Sequence, residues 1–164
     1  MTVPLYGQKY RMSCWAASMR MILASRMRMI ARDDDIAAPT GNQASLTRGL
    51  NPNATKCLNH WGFRMLYPQC YTQDGFADLF RRYGPLWVAC DVRFPGASRS
   101  IPHIRVVTGL RDLQSPMMLK VNDPGPVGTG SRYEETYYDF TRKNELLGLE
   151  ELREPSPIYI AYLA

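Results

Sequence analysis

The sequence predicts an α+β domain, with helices in the first half of the chain and antiparallel strands in the second. Two observations support this prediction. Apolar residues recur at helical spacing from Cys14 to Ala31 and again from Thr72 to Tyr83. After Gly84 the pattern changes to short apolar runs separated by turn residues, which is typical of strands. We therefore expect an N-terminal helical half packed on a C-terminal antiparallel β-sheet.

The boundaries of the elements follow from their start and stop signals. Pro4 and Gly7 predict an extended lead-in, and Ser13 is a suitable N-cap for the first helix. The run Asp33–Asp35 is expected to end that helix, and Gly84 to end the helix over 72–83. Short helices are predicted at 43–50 and 54–61, and strands at 62–67, 85–92, 103–110, 117–122, 133–140 and 158–163.

Length and composition predict one globular domain spanning residues 1–164. A chain of 164 residues can bury one substantial core, and 45% apolar with 21% charged residues is typical of a globular protein. No apolar run approaches the roughly 20 residues that span a bilayer, so we expect no membrane partner. The N-terminus lacks the pattern of a secretory signal. We therefore expect a cytosolic protein, or one exported by a dedicated system.

The charge and the cysteines exclude several other classes of site. The net charge of +5 comes from scattered basic residues without a nucleic-acid-binding motif, so we expect no nucleic-acid partner. The cysteines at 14, 57, 70 and 90 have no metal-ligand spacing, and we predict neither a metal nor a cofactor. We expect all four to be reduced. Cys57, Cys70 and Cys90 are predicted to be small buried residues.

Cys14 is the candidate nucleophile. The thiolate is the reactive form of cysteine, and the unpaired N–H groups at a helix start favour it, as does a neighbouring imidazolium. Cys14 lies where the first helix is predicted to begin, and Trp15 can anchor that turn in the core. A cysteine taken alone would more simply be a buried structural residue. The polar residues elsewhere in the chain favour the nucleophile.

A base and an oxyanion donor can be assigned to the same thiol. His103 heads an apolar strand and is the candidate general base and acid. The other histidine, His60, lies in the helical half without an acceptor downstream. Attack on a carbonyl creates an oxyanion that needs donors aimed at it, and the Gln8 amide with the Cys14 backbone N–H could supply two. Without this context, Gln8 would simply be a surface residue.

Asp123 is the candidate third member of the site. Asn122 and Asp123 end a strand expected to pair beside the strand of His103, and only one of two adjacent side chains can face a given side. We favour Asp123, because a carboxylate stabilises an imidazolium whereas an amide only orients it. Asn122 remains the alternative. Both residues also belong to a good turn sequence, Asn122-Asp-Pro-Gly125. The glycine-rich loop 125–130 is expected to border the cleft.

These motifs together resemble the papain-like cysteine peptidases. The element Gln8-x5-Cys14-Trp15 is similar to the one that opens the central helix in that clan, and residues 84–91 resemble the strand before its histidine. Two features differ from true papains: Met12-Ser13 precedes the cysteine, and His103 follows about 90 residues later rather than ~130–150. The chain is more similar to compact bacterial papain-like effector proteases and bacteriocin-leader peptidases.

The resemblance implies a cysteine protease that cleaves a protein substrate through an acyl-enzyme on Cys14. It also implies a monomeric bacterial effector or toxin domain, made in the bacterial cytosol and secreted by a dedicated system into a target cell. A cognate inhibitor (immunity) protein would protect the producing cell. Three alternatives stay open. They are a deamidase or transglutaminase acting on glutamine side chains, a peptidoglycan amidase, and a non-catalytic binding module that retains the fold.

Overall fold

The computed structural model describes residues 2–49, 54–67, 69–92, 101–111, 116–150 and 160–164, with 54 and 146–150 described by their backbone alone. The helices in these ranges are α1 (Cys14–Met27), α2 (Asp33–Ala37), α3 (Ser45–Arg48), α4 (Ala54–His60), α5 (Gln73–Tyr83) and α6 (Tyr137–Glu150), with a 3-10 turn at Ala38–Thr40. The strands are β1 (Phe63–Met65), β2 (Leu86–Val92), β3 (Ile101–Arg111), β4 (Met118–Asp123), β5 (Ser131–Thr136) and β6 (Ile160–Leu163).

The six strands form one sheet in the order β1-β6-β2-β3-β4-β5, and every neighbouring pair is antiparallel. The α+β class predicted from the sequence is confirmed. β3, which carries His103, lies between β2 and β4 in this order. Its register places His103 opposite Cys90 on β2, and a register shift between Val107 and Gly109 interrupts its pairing with β4.

The sheet separates two apolar clusters. On one face α1 packs against alternate residues of the central strands, and the indole N–H of Trp87 donates to the Trp15 carbonyl oxygen at 3.1 Å. On the other face the second cluster contains Phe76 of α5 and Phe140 of α6, whose rings lie 4.9 Å apart. Apolar burial of this kind is the main source of folding stability. It also fixes α1 against the central strands β2 and β3.

The predicted helix over 14–31 is shorter in the structure, and the role of the aspartates differs. α1 ends at Met27, because Arg28 takes a left-handed conformation with φ 54°. Asp33–Asp35 was predicted to end this helix, which is wrong, because these residues begin α2. The Asp35 carboxylate accepts from the Arg32 backbone N–H at 2.8 Å, which caps α2.

Two further predictions are corrected. The predicted strand 133–140 stops at Thr136, whose hydroxyl oxygen accepts from the Asp139 backbone N–H at 3.0 Å and so begins α6. Cys70 was predicted to be buried but is exposed. Cys57 and Cys90 are buried as predicted, and all four cysteines are free thiols. Residues 50, 158 and 159 of the predicted elements lie outside the described residues.

Candidate active site

The four residues singled out from the sequence line one cavity of about 510 Å³. It lies between the start of α1, the first residues of β3 and the loop that follows β4. Most of its other lining residues are apolar. They include residues 125–127, the first part of the glycine-rich loop that was predicted to border the cleft. The lining residues are Gln8, Arg11, Met12, Cys14, Val92, Ile101, Pro102, His103, Asp123, Gly125, Pro126 and Val127.

Cys14 is the first residue of α1 and is 7% exposed. Ser13 occupies the N-cap position as predicted, but its side chain does not cap the helix. Its hydroxyl instead donates to Asp33 Oδ2 at 2.6 Å and accepts from the Tyr10 backbone N–H at 2.9 Å. The first N–H groups of a helix have no partner within the helix. The Cys14 sulfur is therefore held beside the positive end of α1.

His103 is paired with Asp123. Its Nε2 lies 2.6 Å from Asp123 Oδ1, which leaves Nδ1 as the ring nitrogen for the thiol. Burial lowers the pKa of His103, but hydrogen bonds to Asp123 and Cys14 raise it more, to about 9. Burial raises the pKa of Asp123, but the hydrogen bond to His103, the charge of His103, the Gly125 N–H and the charge of Arg105 together lower the carboxyl pKa below its usual range. Both directions favour an imidazolium–carboxylate pair at neutral pH.

Asp123 is held by two further donors. Its Oδ1 also accepts from the Gly125 backbone N–H at 2.7 Å, and the Tyr133 hydroxyl lies 3.4 Å from Oδ2. The neighbouring Asn122 is directed elsewhere, since its Nδ2 donates to the carbonyl oxygens of Val3 and Pro4, each at 3.2 Å. The structure therefore brings Asp123, not Asn122, to the histidine.

Gln8 is 5% exposed and lies in a strongly held segment. Its backbone N–H donates to the Pro124 carbonyl at 2.9 Å, and its own carbonyl accepts from the Gly128 N–H at 2.8 Å. Its side-chain Nε2 donates to the backbone carbonyls of Tyr10 at 2.9 Å and Arg11 at 2.7 Å. Within the described ranges its buried Oε1 has no hydrogen-bond partner. In this structure both amide hydrogens are thus used inside the segment.

His60 does not reach the cavity, because it lies exposed at the end of α4 and packs its ring edge against Trp61.

A comparison of the sequence with protein families identifies the class of protein that carries this site. A family model described as papain-like cysteine protease AvrRpt2 matches residues 1–145. The chain belongs to this family. It is a papain-like cysteine peptidase, a hydrolase whose substrate is a protein. A comparison of this sequence with curated proteins finds no match.

Two other residues of this AvrRpt2-family protease were missed by sequence reasoning. Asp33 is fully buried, and its carboxylate accepts from the Lys9 backbone N–H at 2.8 Å, from Ser13, and from Arg20 Nη1 at 2.6 Å. It thereby holds the segment between Gln8 and the start of α1. The second residue is Tyr133, whose hydroxyl lies 3.4 Å from Asp123 Oδ2. The charge of Asp33 was visible in the sequence, but nothing there indicated that it is buried against the lead-in.

The described residues of the protease contain no group of three or more His, Cys, Asp or Glu side chains placed to hold a metal ion. Among the same residues, no helix has the length and apolar character needed to cross a bilayer.

Proposed function

We propose that this protease cleaves a peptide bond with Cys14 as nucleophile and His103 as general acid and base. Asp123 orients His103 and stabilises its protonated form. The observation that carries the proposal is the 2.6 Å contact between His103 Nε2 and Asp123 Oδ1, in the cavity that Cys14 also lines. The pair keeps the imidazole protonated, and a protonated imidazole stabilises the thiolate.

The chemistry follows from these positions. The Cys14 thiolate adds to the scissile carbonyl carbon, and the carbonyl π electrons move to oxygen to give an oxyanion. The carbon–nitrogen bond then breaks while His103 gives its proton to the leaving amine. A water molecule attacks the thioester, passes one proton to His103 and expels the Cys14 sulfur as thiolate. The products are an amine and a carboxylic acid, and the enzyme is restored.

The oxyanion is stabilised first by the Cys14 backbone N–H, which has no partner inside the helix. Gln8 contributes when the substrate oxygen replaces one of its two backbone acceptors, the carbonyls of Tyr10 and Arg11. Removing a donor of this kind typically lowers the rate by on the order of 10²–10³. The apolar lining, which includes Met12 and Val127, favours an apolar substrate side chain beside the scissile bond.

We further propose that the protease is a single-domain, monomeric bacterial effector or toxin. It would be made in the bacterial cytosol and delivered into a target cell by a dedicated system. The AvrRpt2 name of the matching family supports the effector part of this role. Because the histidine–carboxylate pair is already formed in the free chain, the producing cell would need a cognate inhibitor protein that covers the cavity. Expression of the active chain, compared with Cys14→Ala, tests whether the activity harms a cell.

The test of the chemistry is intact-mass measurement after brief exposure to a peptidyl epoxide that traps thiols. Cys70 is exposed and serves as an internal comparison for a thiol without the site. We expect one rapid adduct on Cys14, lost in Cys14→Ala and slowed in His103→Ala, with slow labelling of Cys70. Equal labelling of Cys14 and Cys70, unchanged by His103→Ala, would contradict the proposal and favour a binding module.

Protein substrates then separate the reactions that share this acyl-enzyme. Peptide-bond hydrolysis gives two fragments whose combined mass exceeds that of the substrate by one water molecule. Deamidation or transfer at a glutamine side chain changes the mass and leaves the chain whole. Modified but uncut substrates would therefore overturn the assignment as a protease in favour of acyl transfer on glutamine.

A further inference from the structure

A chain of polar contacts runs away from Asp123 on the side opposite His103, through the buried side chains of Arg105 and Glu135. Arg105 Nη1 donates to the Tyr133 hydroxyl oxygen at 2.8 Å, and Arg105 is also paired with Glu135 at 2.6 Å. Glu135 is paired in turn with Lys143 of α6 at 2.6 Å. The register of β3, β4 and β5 places Arg105, Asp123, Tyr133 and Glu135 on one face of the sheet.

The direction of the hydrogen bonds in this chain is fixed by the groups themselves. A guanidinium only donates, so the oxygen of Tyr133 must accept from Arg105. The Tyr133 proton then points to another acceptor, and Asp123 Oδ2 lies 3.4 Å away. Asp123 Oδ1 is meanwhile used by His103 and the Gly125 N–H. Tyr133 therefore stands between a buried cation and the carboxylate of the site.

Arg105 is a strong competitor for that carboxylate. It is 1% exposed, and its Nε and Nη2 have no hydrogen-bond partner in the described part of the chain. A buried cation with unused donors is attracted to any anion within reach, because water does not screen it. Asp123 is close enough that the charge of Arg105 already helps to lower its pKa.

We propose that Tyr133 is a positioning residue that keeps the Asp123 carboxylate on His103 and away from Arg105. This inference rests on the proposed function, since it assigns a role to a neighbour of the same site. With the hydroxyl removed, Arg105 Nη1 and Asp123 Oδ2 both lose a partner, and direct attraction between them would turn the carboxylate away from the histidine.

The test is a titration of the two histidines by NMR in the Cys14→Ala background, which removes the thiol coupled to His103. The charged or titratable groups around His103 include Asp123, Cys90 across the β2–β3 pair, Arg11 in the wall of the same cavity and Arg105 two residues along β3. Burial raises the pKa of Cys90 to about 12, so this thiol stays neutral through the titration. His60 is exposed and provides the reference.

In Tyr133→Phe we expect the His103 pKa to fall by about one pH unit, a tenfold fall in the ratio of charged to neutral imidazole at a given pH, while His60 is unchanged. The matched control is Tyr137→Phe, because the Tyr137 hydroxyl bonds to the Tyr71 carbonyl at 2.6 Å and not to Asp123. It should leave the His103 titration unchanged. A Tyr133→Phe protein in which the His103 pKa is unchanged or raised would overturn the proposal.

A second variant keeps the proposal testable if Tyr133→Phe does not fold. In Arg105→Met the competitor itself is removed, so the His103 pKa should stay the same or rise. A fall in that variant would show that Arg105 supports the pair, and the proposal would be wrong. These titrations need no substrate. A protein that traps no thiol reagent and cleaves nothing would refute the proposed function while leaving this result readable.

Discussion

Replacing Asp123 by asparagine removes one charge from the site and little else. The amide oxygen can still accept from His103 Nε2 and from the Gly125 N–H, which now reach Oδ1 at 2.6 and 2.7 Å. The shape of the site is kept. The change in His103 therefore measures the electrostatic contribution of the carboxylate separately from its contribution to orientation.

The expected magnitude follows from the surroundings of His103. Its pKa is about 9 in the structure against an ordinary value of 6.5, a difference worth about 3 kcal/mol. Burial acts against this, and the bond to Asp123 is the largest contribution that raises the pKa, ahead of Cys14. If the charge supplies about half of the difference, its loss lowers the His103 pKa by about one pH unit.

The assay is a proton–carbon NMR titration of the histidine side chains in the full chain. The chain has two histidines, and His60 reports an exposed imidazole in the same spectra. We expect His103 to titrate at lower pH in Asp123→Asn than in the parent protein, and the rate of Cys14 trapping at pH 8 to fall with it. If His103 titrates at the parent pH in Asp123→Asn, the carboxylate does not set its charge and the proposed role of Asp123 is refuted.

Two further predictions concern stability and the lead-in segment. Because the His103 pKa is raised on folding, its stabilising contribution is complete below pH 6.5 and is lost as the pH rises to about 9. Urea unfolding between these values should show the free energy of unfolding falling by up to about 3 kcal/mol, and Asp123→Asn should flatten this slope. A Cβ on Gly7 would lie 2.4 Å from the Thr129 backbone nitrogen, whereas on Gly109 it meets the flexible Lys120 side chain at 3.3 Å. Gly7→Ala should therefore slow Cys14 trapping and lower the melting temperature more than Gly109→Ala, and equal effects would contradict this account.

The main helix and the members of the site could be predicted because their signals are local. An apolar period identified α1, and Ser13 as an N-cap marked its start. The element Gln8-x5-Cys14-Trp15 was recognised by its resemblance to the one that opens the central helix of papain-like peptidases. His103 was nearly forced by the scarcity of histidines. Asp123 was preferred over Asn122 mainly because a carboxylate stabilises an imidazolium, and the structure gives the spatial reason. The amide of Asn122 faces the backbone of Val3 and Pro4, contacts between residues 119 and 118 positions apart.

The features that could not be predicted depend on register and on long-range packing. Arg105, Tyr133 and Glu135 meet because three strands align in one register, and no pattern within one strand specifies that alignment. The predicted strand 133–140 was wrong for a different reason, because α6 begins at Tyr137. Thr136 and Asp139 have the spacing of a helix cap. The alternating aromatic residues before them favoured a longer strand, and the local cap prevailed.

The contacts of the loop after β4 explain why Gln8 and Asp123 should respond together to a change in that loop. The side chain of Gln8 is held by its own segment, but its backbone is held by the loop after β4, through the Pro124 carbonyl and the Gly128 N–H. That loop also supplies Gly125, whose N–H holds the carboxylate of Asp123. A displacement of the loop would therefore move the glutamine and loosen the histidine's partner at once. Cys14 is insulated from such a displacement, because α1 is fixed by its packing on the sheet and by the buried Asp33. Cys14 is thus held by the core of the domain, whereas Gln8 and the carboxylate that faces His103 depend on one short loop.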